Sequence, residues 1–107
     1  MPSNNPQRNS QIRNRTREPQ KYNVVMHNDD VTTMEFAVDV LRKVFYKNAE
    51  DATMLMLDVH HKGQAVVGTY SLDIAASKVN KALLMAKEQG FPFRMTIEPA
   101  ETDDLPF

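Results

Sequence analysis

At 107 residues the chain is long enough for one domain with a modest core and too short for two. Its formal net charge of -1 gives no global basic field of the kind that draws nucleic acid, and the lack of cysteine excludes disulfides, a thiol nucleophile and thiolate metal ligands. No apolar run reaches the length of a bilayer crossing and the polar start has no secretory stretch, so the expectation is a soluble, cytoplasmic protein with no membrane and no nucleic-acid partner.

Residues 1–20 carry Arg8, Arg13, Arg15 and Arg17 against Glu18, and Ile12 is their only large aliphatic side chain beyond Met1. So little apolar surface cannot offset the entropy of ordering, and the segment is expected to be a disordered tail. From Tyr22 the chain alternates, with Tyr22, Val24 and Met26 on one face and Asn23, Val25 and His27 on the other, as a half-buried strand does. Asn28, Asp29 and Asp30 then form a polar turn. Thr32 and Glu35 have the spacing of a capping box, which puts a helix start near Thr33. Met34, Ala37, Val38, Leu41, Val44 and Phe45 follow at helical spacing, with Phe36 and Val40 broadening the stripe.

Asn48 is the expected N-cap of a second helix bearing Ala52, Leu55, Met56 and Val59, with His60 and His61 in its last turn and Gly63 as its stop. Residues 64–70 are rich in β-formers. Ser71 and Asp73 open a third helix that carries Ile74, Ala75, Val79, Ala82, Leu83 and Ala86 and ends by Gly90. Phe93, Met95 and Ile97 alternate with Arg94, Thr96 and Glu98 in a last strand, before an acidic end with Glu101, Asp103 and Asp104. The order is β-α-α-β-α-β, which implies a small α+β sandwich: a three-stranded antiparallel sheet packed on three helices. The boundaries that follow are a tail at 1–20, a core at 21–99 and an acidic C-terminal tail at 100–107.

Chemistry concentrates at residues 28–36. Two carboxylates and an amide beside Met34 and Phe36 suit a ligand that is both cationic and apolar, and a metal, a lysine or a free α-amino group would each answer the charge. The plainer reading is a polar turn whose carboxylates favour the positive end of the following helix. A metal-dependent hydrolase built on His27, Asp29, Asp30, His60 and His61 is the weaker alternative, since no H-E-x-x-H pair is present and the acidic run lacks the glycine and spacing of a calcium loop. A non-catalytic scaffold is the third reading, because a small α+β sandwich does not dictate function.

The segment Lys21–Phe36, then Leu55–His60, Gly63, Ile74–Val79 and the Gly-Phe-Pro-Phe entry to the last strand resemble the ClpS adaptor family, in one order, over about residues 21–99. The resemblance implies an adaptor and not an enzyme, with no cofactor. It would bind the N-terminal residue of substrate proteins that begin with Leu, Phe, Tyr or Trp and deliver them, as a monomer, to the N-terminal domain of a ClpA/ClpC-type AAA+ unfoldase working with ClpP. It implies an α-amino site at Asn28, Asp29, Asp30 and His60. It implies a side-chain pocket at Val31, Thr32, Met34, Ala37, Val40, Met56, Val59 and Phe93, with Met34 crowding the mouth. It also implies an unfoldase-facing surface at Asp73 and Lys78, and an N-terminal extension that enters the unfoldase pore. Thr33 replaces a common Pro with little expected consequence, whereas Ala37 replaces a larger Val and Phe93 a Leu, so a reshaped pocket is expected.

Overall fold

In a computed structural model, residues 19–101 are described and form β1 (Tyr22–His27), α1 (Met34–Lys43), α2 (Ala49–Lys62), β2 (Gln64–Tyr70), α3 (Leu72–Gln89) and β3 (Arg94–Pro99). Both expected tails fall largely outside the described residues. The sheet runs β2-β1-β3 with both pairings antiparallel, so the α+β architecture read from the sequence is the one observed. α3 lies against all three strands, and α2 against β2 and α1.

β1 is more buried than its alternation implies. Val24 and Met26 face the helices and are fully buried, but Val25 on the opposite face is also only 1% exposed. As the central strand it is flanked on both sides, with Val66 and Thr96 directly across from Val25. A bulge in the β2 pairing falls between Val24 and Val25, and Gly68 sits opposite Val24. A Cβ there would lie 2.7 Å from Tyr70 Cζ, so any other residue requires the tyrosine ring to shift.

The helix boundaries follow from their caps. α1 starts one residue later than the sequence pattern indicates: Thr33 is the N-cap, its Oγ1 accepting from Phe36 N–H at 3.1 Å. Thr32 N–H is donated to Asp29 Oδ1 at 2.7 Å, so the donor that Glu35 would accept in a capping box is already taken and Thr32 belongs to the preceding turn. The third helical position is therefore Phe36, and no Thr32–Glu35 capping box forms. Asn48 caps α2 by accepting from Asp51 N–H at 2.7 Å, and Gly63 ends it at φ +88°. α3 ends in a Schellman arrangement, with Gly90 N–H donating to Lys87 O at 3.1 Å and Phe91 N–H to Ala86 O at 3.0 Å.

The buried face of α3 is Ala75, Val79, Ala82 and Ala86, small side chains that let the helix approach the sheet closely. Ile74, expected on that face, is 50% exposed. At the far end of the molecule Lys78 Nζ donates to Val44 O at 2.8 Å and lies 4.6 Å from the Tyr46 ring centroid, where the backbone takes φ +57°. The lysine thereby satisfies a carbonyl that the end of α1 leaves open.

Candidate functional site

Two hydrogen-bond systems shape the polar end of β1. Asn28 N–H donates to Gly63 O at 2.9 Å, which ties the first residue after β1 to the turn that ends α2 and brings Asn28 to the same end of the molecule as the last turn of α2, where His60 lies. Asp29 Oδ1 accepts from Val31 N–H at 2.8 Å and Thr32 N–H at 2.7 Å, closing an Asx turn that leads into α1. Burial alone would raise the Asp29 pKa. The Thr32 N–H, the Thr32 hydroxyl and the Val31 N–H outweigh it, and the carboxyl is held below its ordinary value. The Thr32 hydroxyl is buried without a partner of good hydrogen-bonding geometry, so it acts on Asp29 as a nearby dipole.

Beneath this turn is a cavity of about 20 Å³ lined by Asn28, Asp29 and Thr32 on its polar side and by Ala37, Met56, Val59 and Phe93 on its apolar side. Separate parts of the chain thus converge on one space: the β1–α1 turn, α1 at Ala37, the inner face of α2 and the entry to β3. Ala37 and Val59 are fully buried, Met56 and Phe93 nearly so. Phe93 is fixed by an edge-on contact with Phe36, ring centroids 5.7 Å apart. A charged, solvent-reachable lip above a small apolar chamber can hold a cation attached to an apolar group.

The other residues singled out in the sequence are placed differently. Val40 is fully buried in the core and does not line the cavity. Val31 is 60% and Met34 46% exposed, and neither lines the cavity. Asp30 and His60 are exposed, the latter beside His61 with ring centroids 5.5 Å apart. Asp73 is exposed in the first turn of α3, whereas the Lys78 ammonium is engaged within the molecule as described above.

Met26 and His27 also line the cavity and were not singled out for it. For Met26 the signal was available: it is the last inward-facing residue before the polar turn. The His27 ring is committed to β3, its Nε2 2.7 Å from Thr96 Oγ1. Among the described residues no group of three or more His, Asp or Glu is placed to hold a metal ion.

Comparison with known proteins bears on this site. Residues 17–96 match the family described as ATP-dependent Clp protease adaptor protein ClpS. The chain belongs to the ClpS family. It is 51% identical over 83 residues to the ATP-dependent Clp protease adapter protein ClpS of Acetivibrio thermocellus, covering 78% of this chain and 84% of that protein. It is 44% identical over 90 residues to the ClpS of Lawsonia intracellularis, covering 84% of this chain and 83% of that one. Among solved structures it is similar to Agrobacterium tumefaciens ClpS2 bound to L-phenylalaninamide, with a TM-score of 0.75 and 38% identity, covering 78% of this chain and all of that one.

Proposed function

We propose that this ClpS-family chain recognises proteins by a free N-terminal α-amino group together with a bulky apolar first side chain, and hands them to a AAA+ unfoldase–protease of the Clp type. The observation that carries the proposal is the cavity in which Asn28 and Asp29 meet Ala37, Met56, Val59 and Phe93. The ClpS2 ligand supports it, because L-phenylalaninamide joins an α-amine to a benzyl side chain and carries no carboxylate.

In this reading an ammonium, which has three donors, is met by the Asn28 side-chain carbonyl, the Asp29 carboxylate and a neutral His60 imidazole nitrogen. Asp30 adds negative charge at the lip. The side chain enters between Ala37, Met56, Val59 and Phe93, with Thr32, Val31 and Met34 around the mouth. Charge-assisted hydrogen bonds contribute roughly 1.5 to 3 kcal/mol each, and burial of one Leu or Phe side chain about as much. The side chain alone falls short of an association cost of about 4 to 15 kcal/mol and the amine contacts together, roughly 4.5 to 9 kcal/mol, only reach into that range, so tight binding needs both features in one ligand. A fluorescent Phe-initiated peptide should therefore bind, and its N-acetylated and Met-Phe counterparts should not. Equal affinity for the acetylated peptide would remove the basis of the assignment.

Delivery to the unfoldase rests on the family and on the exposed start of α3, where Asp73 is available to a partner. Replacing Asp73 should weaken unfoldase docking and leave peptide binding intact. Lys78 is a poorer probe of docking, because removing its ammonium also strips the Val44 carbonyl of its partner.

A further inference from the structure

A second and larger concavity lies against the site. It measures about 560 Å³, is open to solvent, and is lined by the N-cap Thr33, by Glu35, Val38, Asp39 and Arg42 of α1, by Gln89 at the end of α3 and by Phe91 just after it, with Phe36 at its base. Glu35, Val38, Asp39 and Arg42 stand at positions i, i+3, i+4 and i+7, so they form one face of the helix. This groove and the apolar cavity are back to back. Phe36 is the partition, touching Phe93 of the cavity on one side and Phe91 of the groove on the other, with ring centroids 5.7 and 5.0 Å apart. The rim is shared as well, for Thr32 lines the cavity and Thr33 the groove.

We propose that this groove receives residues 3 to 6 of the substrate chain whose first residue occupies the cavity, and that it reads their charge in register. The inference rests on the peptide-binding role proposed above. A chain leaving the cavity over the shared rim reaches the groove first at Glu35 and runs along α1 toward Arg42. Asp39, between them, is paired with Lys43 at 3.2 Å, whereas Glu35 and Arg42 have no ion-pair partner among the described residues. Glu35 and Arg42 are seven residues apart, a rise of ~10 Å along the helix. An extended peptide covers that distance in about three residues at ~3.3 Å each. The groove therefore favours a basic side chain at the third position and an acidic one at the sixth, with Val38 and Phe91 as the apolar floor between them.

The test compares two hexapeptides in fluorescence anisotropy with the full chain, Phe-Ala-Lys-Ala-Ala-Glu and its charge-reversed counterpart Phe-Ala-Glu-Ala-Ala-Lys, with L-phenylalaninamide as the reference ligand. The first should bind roughly three- to ten-fold more tightly, the range expected of two exposed ion pairs, and the gap should shrink as salt is raised. Glu35→Gln with Arg42→Gln should erase the gap, and Glu35→Lys with Arg42→Glu should reverse it, while competition by L-phenylalaninamide stays as in the unmodified chain. Equal binding of the two hexapeptides, or a preference that survives the charge swap, would overturn the groove assignment and leave the cavity reading in place. A charge swap that blocks unfoldase recruitment without changing peptide order would overturn it in favour of a protein partner on this face. Failure of L-phenylalaninamide and both peptides to bind would overturn the cavity reading, and this one with it.

Discussion

Under the proposed function Asp29 serves both the turn and the ligand, and substitution can separate the two. Its Oδ1 accepts the Val31 and Thr32 N–H groups and so builds the turn, while its charge faces the site proposed for the ammonium. Asp29→Asn keeps an oxygen for the turn and loses the charge. Asp29→Ala loses both. Two N–H bonds to a carboxylate at a loop end open to water contribute ~1 kcal/mol each, below the ~1.5 to 3 kcal/mol of shielded charged acceptors because water competes for the same groups, and neutral acceptors give about half as much. The alanine variant should therefore lose about 2 kcal/mol of stability, a fall of about 8 °C or more in Tm for a domain this size, and the asparagine variant about half of that.

Binding should respond in a different proportion. Losing the charge that faces the ammonium costs about 1.5 to 3 kcal/mol, a ten- to hundred-fold rise in Kd for a Phe-initiated peptide, and both variants lose it. The signature is thus a large affinity loss in Asp29→Asn beside a small stability loss. Thermal melts and fluorescence anisotropy on the same samples read both quantities. Full affinity in Asp29→Asn would refute the contact with the amine, and equal Tm losses in the two variants would refute the turn. The sign of the pH effect also follows. The Asp29 carboxyl titrates below its ordinary value, so its contribution is complete above that value and is lost only as pH falls through the still lower folded one. Any loss of affinity between pH 7 and 5 must come from another group.

His60 is proposed as the third acceptor for the ammonium, so His60→Ala should weaken binding of a Phe-initiated peptide several-fold in fluorescence anisotropy, and His61→Ala should leave it unchanged. Met34, half exposed over the first turn of α1, should exclude side chains branched at Cβ, so Met34→Ala should raise the affinity for Ile-initiated peptides several-fold in a peptide panel; unchanged discrimination would remove it as a gate. Met56 is the cavity side chain best able to yield, and Met56→Ile, stiff at χ1, should weaken binding of a Trp-initiated peptide more than Met56→Leu does, by about tenfold, with similar Tm values in calorimetry. Gly68→Ala drives a Cβ toward the Tyr70 ring and should cost about 1 to 3 kcal/mol in a urea melt without altering peptide affinity; a neutral result would mean that the ring moves aside freely.

The element order was legible because each boundary carries its own local chemistry: Asn48 and Gly63 around α2, Gly90 after α3, and alternation in β3. Two local patterns competed at the start of α1, and only the structure decides between them. Thr32 has Glu35 three residues on and Thr33 has Phe36, but the Asx turn from Asp29 takes the Thr32 N–H that Glu35 would accept, and it is the Thr33 hydroxyl that caps the helix. The burial of Val25 was hidden for another reason. Alternation describes a single strand and says nothing of the two neighbours that cover it when it becomes central.

At the site, sequence supplies the types of residue and not the volume between them. Ala37, Met56, Val59 and Phe93 do meet, yet the space they leave is about 20 Å³, near the room one water needs. A cavity that takes benzene is about 150 Å³, so an incoming aromatic side chain must widen this one. Ala37 and Val59 are short, fully buried and attached to packed helices, and Phe93 is braced by Phe36, which is itself braced by Phe91. Met56 alone among the apolar lining residues combines three rotatable bonds with a place at the edge of the core, at 9% exposure. Selectivity among bulky first residues should accordingly depend less on the size of the closed chamber than on how far one thioether can swing, with the aromatic brace behind Phe93 setting the limit on the other side.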